Sequence, residues 1–317
     1  MSTLKVIVSH IAEVAEGIRH FTLVDASGGE LPGFSGGSHV VVSMPAGPRT
    51  YRNAYSLLSS PSERRHYQIA VRLQENSRGG SRFMHEQVTV GTALDITWPV
   101  NLFAIARLGH KHILVAGGIG ITPFMSQAHE LLRSGANFEL HYGIRSPRHA
   151  GFIDELRALL GDRLHCYDQS QGQVIDSQAL LARQPLGTHV YVCGPAGMVD
   201  AVVGSAKRLG WPDAHVHYEQ FLAPPVGEPF SIRLKQSGLV VDVAAEESML
   251  EAMEAASVEV PHLCRGGACG RCELEVLSTD GVIEHHDHYL SEDEKRAGNK
   301  ILPCVSRAKC SFIELNL

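Results

Sequence analysis

Seven cysteines stand in this 317-residue chain, and four of them carry a spacing with chemical content. Cys264, Cys269 and Cys272 form C-x4-C-x2-C within Cys264-Arg-Gly-Gly-Ala-Cys-Gly-Arg-Cys272, and Cys304 follows 32 positions later in Leu-Pro-Cys-Val-Ser. This is the plant-type ligand run of a [2Fe–2S] cluster, a centre that exchanges electrons singly. Two irons need four thiolates, and the three close ones converge only if the backbone wraps tightly around an inorganic core. Gly266, Gly267 and Gly270 allow that wrapping, since glycine takes left-handed conformations freely and lets backbone N–H groups point at sulfur. A zinc site usually pairs two short hooks, and one C-x2-C with a C-x4 arm fits that less well. Cys166, Cys193 and Cys310 are left over, an odd set without disulfide logic.

Two glycine turns offer a second chemistry. In Leu114-Val-Ala-Gly-Gly-Ile-Gly-Ile-Thr-Pro-Phe124 an apolar strand runs into a glycine turn and then a helix, with Thr122 suited to the cap and Pro123 to the first turn. Such a turn lets a diphosphate approach the backbone at a helix N-terminus, although alone it is weak evidence for a nucleotide. Tyr191-Val-Cys-Gly-Pro-Ala-Gly-Met198 repeats the arrangement at the end of another predicted strand, and two such loops on one sheet edge strengthen the nucleotide reading. Cys193 is there either a packed thiol or a group beside a reacting ring. Arg49-Thr-Tyr-Arg-Asn-Ala-Tyr-Ser-Leu57 and Asn76-Ser-Arg-Gly-Gly-Ser-Arg-Phe83 add guanidinium and hydroxyl groups suited to a phosphate. A nicotinamide yields two electrons as hydride and a [2Fe–2S] cluster accepts one, so a chain with both needs a group that holds two and releases one. A flavin does this.

The elements that must position these groups fall into three segments. Short alternating runs at Lys5–Ser9, Ile18–Leu23, His39–Met44, Tyr67–Leu73 and Ala93–Thr97, separated by Gly and Pro clusters, predict an antiparallel barrel or sandwich. From about Leu108 the pattern changes. Strand-like His112–Ala116, Phe138–Tyr142, Arg163–Tyr167 and His189–Val192 alternate with helical Pro123–Arg133, Gly151–Leu160, Ser177–Arg183 and Gly197–Leu209, the signature of a parallel sheet covered on both faces. A Pro-rich joint, Ala223 to Pro229, precedes strand-like Ser231–Leu234 and Val240–Val243, a helix at Ser248–Ala256, the cysteine loop, and strands at Glu273–Leu277 and Ser311–Leu317. The expected domains are 1–104, 105–224 and 225–317.

Composition narrows the partners. No segment approaches the ~20 apolar residues of a membrane span, and Met1 to His10 carries no leader-like apolar run, so a cytoplasmic chain is expected. From residue 230 onward 15 acidic residues face nine basic ones, whereas 1–229 is balanced, so the formal charge of −6 resides with the cysteine segment. That acidic surface either steers a basic partner or is merely solvated. No basic stripe suggests nucleic acid.

Together the three segments resemble the phthalate dioxygenase reductase family, within the ferredoxin–NADP reductase superfamily, whose one-chain members include vanillate demethylase and carnitine monooxygenase reductases. The resemblance spans about 5–317 and rests on Tyr55-Ser-Leu57, Ser77-Arg-Gly-Gly-Ser81, Gly117-Gly-Ile-Gly-Ile-Thr-Pro123, Cys193-Gly-Pro195, the cysteine run and Cys304-Val-Ser-Arg307. It implies a flavin-binding β-barrel, a Rossmann-like parallel α/β nucleotide domain and a C-terminal β-grasp ferredoxin domain. It places Tyr55 and Ser56 against the flavin ring, Arg52 at its phosphate with Asn53 and Ala54 in the same motif, and Ser77, Gly79, Gly80 and Ser81 on the phosphate's other side. Gly118, Gly120, Thr122, Cys193, Gly194 and Pro195 would line the nicotinamide crevice, and Phe221 would cap the flavin. Cys264, Cys269, Cys272 and Cys304 would ligate iron. The implied activity passes electrons from NADH through FMN and the cluster to a terminal Rieske-type non-haem iron oxygenase acting on an aromatic acid or a small quaternary amine. FMN follows from the branch matched. For NADH, Asp168 ends the third predicted strand of the α/β segment, where an acid suits a ribose hydroxyl, while Arg145 and Arg148 argue for a phosphate.

Two positions depart from the family pattern. Arg52 precedes Tyr55 by three positions rather than two, so Arg49, Arg52 or both reach the phosphate, and Arg265 stands in the cluster loop where members often carry an acid. The run Glu284-His-His-Asp-His-Tyr289 reads as a surface turn in preference to a metal site, because adjacent histidines seldom converge without a second hook. The rival functions are a redox sensor and a general NAD(P)H:acceptor reductase with FAD.

Overall fold

A computed structural model describes residues 3–47, 49–75, 77–221 and 224–317, and the chain divides into two compact units, Met1–Gln220 and Phe221–Leu317. Asn76 of the second basic loop and Ala223 at the head of the Pro-rich joint lie outside the described residues.

The first unit begins with β1 (Thr3–Ala15), β2 (Ile18–Asp25), β3 (Ser38–Ala46), β4 (Arg49–Ser56), β5 (His66–Arg72), α1 (Gly80–Glu86), β6 (Ala93–Thr97) and β7 (Val100–Asn101). The strands pair antiparallel in the order β4-β3-β6-β1-β2-β5, and the end strands β4 and β5 return into contact, which curls the sheet toward a barrel. Alternate residues fill the inside: Val6, Val8, Phe21, Leu23, Val40 and Val42 are buried together. β4 has almost no apolar alternation, yet it pairs along its whole length with β3, from His39 opposite Ser56 to Ala46 opposite Arg49. Tertiary pairing makes it a strand where its polar sequence gave no such signal.

The same unit continues with β8 (Lys111–Gly117), α2 (Thr122–Ser134), β9 (Phe138–Ile144), α3 (Ile153–Leu160), β10 (Leu164–Asp168), α4 (Ser177–Ala182), β11 (Thr188–Cys193), α5 (Ala196–Arg208) and β12 (Val216–Glu219). All five strands run parallel in the order β10-β9-β8-β11-β12, and the direction of winding reverses beside β8. On the central strands β8 and β11 both faces are apolar because both are covered. Leu114, Leu140 and Tyr191 pack under α2 and α3, whereas Ile113, Val115, Val190 and Val192 pack under α4 and α5. The barrel and the parallel sheet are joined tightly: Gly37 N–H donates to Ser126 Oγ at 3.1 Å, and a side chain at Gly36 would strike the α2 backbone at Gln127 at 2.7 Å.

The second unit holds β13 (Phe230–Leu234), β14 (Val240–Val243), α6 (Met249–Ala255), β15 (Leu274–Thr279), β16 (Val282–Glu284), α7 (Glu292–Ala297), β17 (Lys300–Ile301), β18 (Arg307–Lys309) and β19 (Phe312–Leu315). The first strand β13 lies parallel to the last, β19, in the order β14-β13-β19-β15-β17, and α6 lays Met249, Leu250 and Met253 into the core, a β-grasp arrangement. Ser248 and Glu251 form a reciprocal cap on α6, as Ser291 and Glu294 do on α7. Arg307 ties this unit together from inside. Its guanidinium is 1% exposed and donates to the carbonyls of Glu228 at 2.9 Å, Ala244 at 3.2 Å and Glu247.

Replacing Arg307 by Leu removes three charge-assisted hydrogen bonds, to the carbonyls of Glu228, Ala244 and Glu247, and the expected cost is about 3 kcal/mol. Urea unfolding followed through the visible circular dichroism of the second unit checks this; a midpoint within error of the parent would contradict it.

Candidate functional site

The four cysteines come together in the second unit. Cys264, Cys269 and Cys272 lie in the loop between α6 and β15, Cys304 lies between β17 and β18, and all but the half-buried Cys269 are buried. The thiols fall into two neighbouring pairs, Cys264 with Cys269 and Cys272 with Cys304. One pair for each of two irons is what a [2Fe–2S] core requires, whereas a single zinc would gather four sulfurs around one point. The Cys269 thiol and the backbone N–H groups of Gly266, Ala268 and Cys269 hold Cys264 down to about 5, and the Cys304 thiol likewise lowers Cys272. Their partners Cys269 and Cys304 are pushed up by the same contacts. In each pair one cysteine, Cys264 or Cys272, is thus favoured as thiolate, the ligating form.

Backbone conformation sets the loop. Gly267 and Gly270 have φ of 70° and 67°, and a Cβ on Gly267 would lie 2.6 Å from Val305, while one on Gly270 would lie 2.2 Å from the Tyr289 ring. The loop is also pinned from the histidine-rich run, where His288 N–H donates to Gly267 O at 3.0 Å. That run is not simply a surface turn. Asp287 is buried and accepts from the N–H groups of Tyr289 at 3.1 Å and Leu290 at 2.8 Å, so it organises the chain behind the cysteines. Among the described residues its histidines do not gather into a three-ligand group. Arg265 adopts φ of 54° and turns inward: its side chain is 8% exposed, paired with Glu254 of α6 and 3.2 Å from His262 Nε2. A guanidinium so enclosed is a strut between the loop and α6 and contributes little to a docking face.

On the barrel, alternation along β4 sends Tyr51, Asn53 and Tyr55 to one face and Arg52, Ala54 and Ser56 to the other. Tyr55 Oη accepts from Asn53 Nδ2 at 3.2 Å and donates toward Met44 Sδ at 3.9 Å, and burial pushes its phenol up to about 12. The second loop packs on this face. A Cβ on Gly79 would reach the Tyr51 ring at 2.3 Å, and one on Gly80 would reach Asn53 Nδ2 at 2.5 Å. Within the loop Ser77 Oγ accepts from Gly79 N–H at 3.1 Å and from Ser81 Oγ at 2.9 Å. The structure therefore brings Asn53, Tyr55, Ser77, Gly79, Gly80 and Ser81 together and sets Arg52 and Ala54 on the opposite face; Arg49 shares the face of Tyr55. Tyr51 escaped the sequence reading, although its two-residue spacing from Asn53 could have exposed it. Beside Ser56, its cross-strand partner His39 and the nearby Ser59 carry Nε2 and Oγ atoms that are buried without partners among the described residues. Buried polar atoms without a partner mark a place where a polar ligand completes the hydrogen bonding. They fit a flavin edge.

The two glycine loops of the parallel sheet close on each other. A Cβ on Gly120 would meet the Cys193 carbonyl at 2.2 Å, and one on Gly194 would meet Gly117 Cα at 3.1 Å. A cavity of about 420 Å³ opens at the carboxyl ends of the strands, lined by Gly118, Arg145, Tyr167, Pro195 and Met198, with Arg72 of the barrel on its other side. Its place, at the reversal beside β8, is where open α/β sheets take ligands. Thr122 is not a cap: it lies inside α2 and its hydroxyl donates back to Ile119 O at 3.0 Å, because a tight turn over Gly118–Ile121 precedes the helix. Asp168 sits at the end of β10 as expected, but its carboxylate accepts from Ser170 N–H at 2.9 Å and Oγ at 2.6 Å, and its neighbours Tyr167 and Gln169 face the cavity instead. Cys193 is a packed thiol, 1% exposed, and burial pushes it up. Phe221 opens the second unit and is 49% exposed.

Residues 232–309 match the family described as a 2Fe-2S iron-sulfur cluster binding domain, and residues 100–216 match that of the N-terminal domain of dimethylamine monooxygenase subunit DmmA-like proteins. Phthalate dioxygenase reductase, described as a modular structure for electron transfer from pyridine nucleotides to [2Fe-2S], superposes with a TM-score of 0.88 at 34% identity over 100% of this chain and 98% of its own. The chain belongs to the phthalate dioxygenase reductase family. The reductase is also 49% identical to the haem-dependent oxidative N-demethylase beta subunit of Ectopseudomonas mendocina, over 100% of both chains. It is 42% identical to the carnitine monooxygenase reductase subunit of Acinetobacter baumannii, over 98% of this chain and 97% of that one. This phthalate dioxygenase reductase relative is therefore an oxidoreductase, with a cluster domain, a flavin barrel and a pyridine-nucleotide sheet in one polypeptide.

Substituting Gly120 by Ala forces the two glycine loops apart at the Cys193 carbonyl. NADH binding should weaken by roughly tenfold to a hundredfold, as a shift of about 1 Å does at a reacting centre, with flavin and iron content unchanged. An unaltered NADH dissociation constant would remove these loops from the nucleotide site.

Proposed function

We propose that this chain is the NADH-dependent reductase component of an oxygenase system, working with FMN and a [2Fe–2S] cluster. The observation that carries it is the pairing of sulfurs, Cys264 with Cys269 and Cys272 with Cys304, in a chain that also holds a nucleotide-sized cavity at a sheet's switch point. The cofactors supply hydride acceptance and single-electron release when bound. The protein's part is placement. Asn53, Tyr55 and the Ser77–Ser81 loop would hold the flavin from one face of β4, and Ser56, with the unpartnered His39 Nε2 and Ser59 Oγ, would meet it from the other face where the strand ends. Gly118, Gly120, Gly194 and Pro195 let a dinucleotide backbone approach the sheet edge, and Arg145 and Tyr167 flank it. We assign the work to three modules, 1–104, 105–224 and 225–317, in a cytoplasmic protein; among the described residues no helix is long and apolar enough to cross a membrane.

The negative charge of Asp168 at the end of β10, between the cavity-lining Tyr167 and Gln169, supports NADH over NADPH. A preference of at least about tenfold in kcat/KM, equal to 1.4 kcal/mol, is expected in dye reduction. Equal use of both nucleotides would contradict it.

For the acceptor we propose an oxygenase that attacks an N-methylated amine. The names of the relatives, an oxidative N-demethylase and a carnitine monooxygenase, and the match to a dimethylamine monooxygenase subunit all support that substrate class. The resemblance to phthalate dioxygenase reductase supports a Rieske-type terminal centre. The 49% identity to a haem-dependent system supports a haem acceptor as the second reading.

Anaerobic NADH addition should bleach overlapping flavin and iron–sulfur bands. Cys304→Ser should keep NADH-driven ferricyanide reduction but lose reduction of the oxygenase. A Soret shift in the acceptor favours haem and a bleached Rieske band favours non-haem iron. If Cys304→Ser still reduces the oxygenase, the cluster is not on the path, and a protein that never turns over NADH is a sensor instead.

A further inference from the structure

One face of the parallel sheet gathers polar side chains that the electron path does not use. Glu139 and His141 stand two residues apart on β9, in register with Ile113 and Val115 of β8, and so belong to the face covered by α4 and α5. His165 lies directly opposite His141 across the β9 to β10 pairing, and the two rings stack at 4.7 Å with 20° between their planes. One ligand atom from each of Glu139, His141 and His165 falls within 4.8 Å of the other two. We propose that these three residues form a binding site for one divalent ion of the zinc class.

Four features suit that chemistry. His141 Nε2 and Glu139 Oε2 are 3.4 Å apart, and two ligands with bonds of about 2.0–2.1 Å and a tetrahedral angle are separated by about 3.4 Å. His141 Nδ1 lies 2.9 Å from Tyr167 Oη, so a proton on Nδ1 donated to the phenol oxygen leaves Nε2 with its lone pair toward Glu139. A ring nitrogen fixed in this way is the usual support behind a metal-binding histidine. His141 is 4% exposed, so the site is closed to bulk water on that side. Access is through β10, the edge strand. Imidazole with one carboxylate selects zinc, nickel or copper over magnesium or calcium. Lys111 opposes the ion, because its Nζ holds the other Glu139 oxygen at 2.7 Å and adds a positive charge. That opposition makes the site distinguishable from a purely structural cluster.

The test uses the full holoprotein equilibrated with zinc against a chelating buffer, with zinc and iron read together by mass spectrometry. About one zinc should bind for every two cluster irons without iron loss. His165→Ala and Glu139→Gln should each weaken binding by at least about tenfold, and Tyr167→Phe by a smaller factor. Lys111→Gln should tighten it. Retained NADH-driven dye reduction by His165→Ala shows that the variant is folded. Absence of saturable zinc, zinc that enters only as iron leaves, or affinity unchanged in both His165→Ala and Glu139→Gln would overturn the site.

Discussion

Four sulfurs from segments 32 residues apart have to meet as two pairs, and most of the second unit is arranged around that requirement. The loop from Cys264 to Cys272 can fold back only by taking left-handed conformations at Arg265, Gly267 and Gly270. Glycine takes that conformation freely, whereas at Arg265 it costs energy and persists because the surroundings enforce it. Here Val305, Asp287 and Tyr289 press on the loop from one side, and the Arg265 to Glu254 pair ties it to α6 on the other. Cys272 and Cys304 are themselves members of the apolar core, so the irons would sit on a scaffold whose packing is continuous with β13, β15 and β19. Ligation and folding of this unit are therefore linked.

The first unit solves a different problem with the same device. A dinucleotide and a flavin must lie close to backbone, and the chain makes room by leaving out side chains where strands end. Gly117, Gly120 and Gly194 let two loops touch, and Gly36 and Gly37 let the barrel touch α2. Any of these positions with a Cβ would separate surfaces that must be in contact. The barrel and the parallel sheet behave as one compact body for that reason.

Much of this was readable from residue order. The alternation of strand and helix after Leu108, the helix from Ser248 and the cysteine spacing each carried their own physical signature and appear where expected. The elements that escaped share a cause. β4 reads Arg-Thr-Tyr-Arg-Asn-Ala-Tyr-Ser and becomes a strand only through β3; β12 is four residues at a sheet edge; α7 buries nothing, so only its Ser291 and Glu294 cap could have announced it. Side-chain direction was the harder matter. Thr122 belongs inside its helix, Asp168 is engaged by Ser170, and Arg265 faces α6 rather than solvent, because each is decided by a neighbour distant in sequence or by one extra turn of backbone. The convergence of Glu139, His141 and His165 was illegible for the same reason, since it depends on the register of two parallel strands.

Everything proposed for electron flow requires that the four cysteines hold one two-iron cluster that NADH can reduce. Low-temperature electron paramagnetic resonance of the intact protein, frozen anaerobically after NADH addition, addresses it directly. The expected spectrum is that of a reduced all-cysteine [2Fe–2S] cluster, integrating to about one spin per chain and lost in Cys272→Ser. A silent spectrum from iron-loaded, flavin-loaded protein, or an iron signal that survives Cys272→Ser, would contradict it.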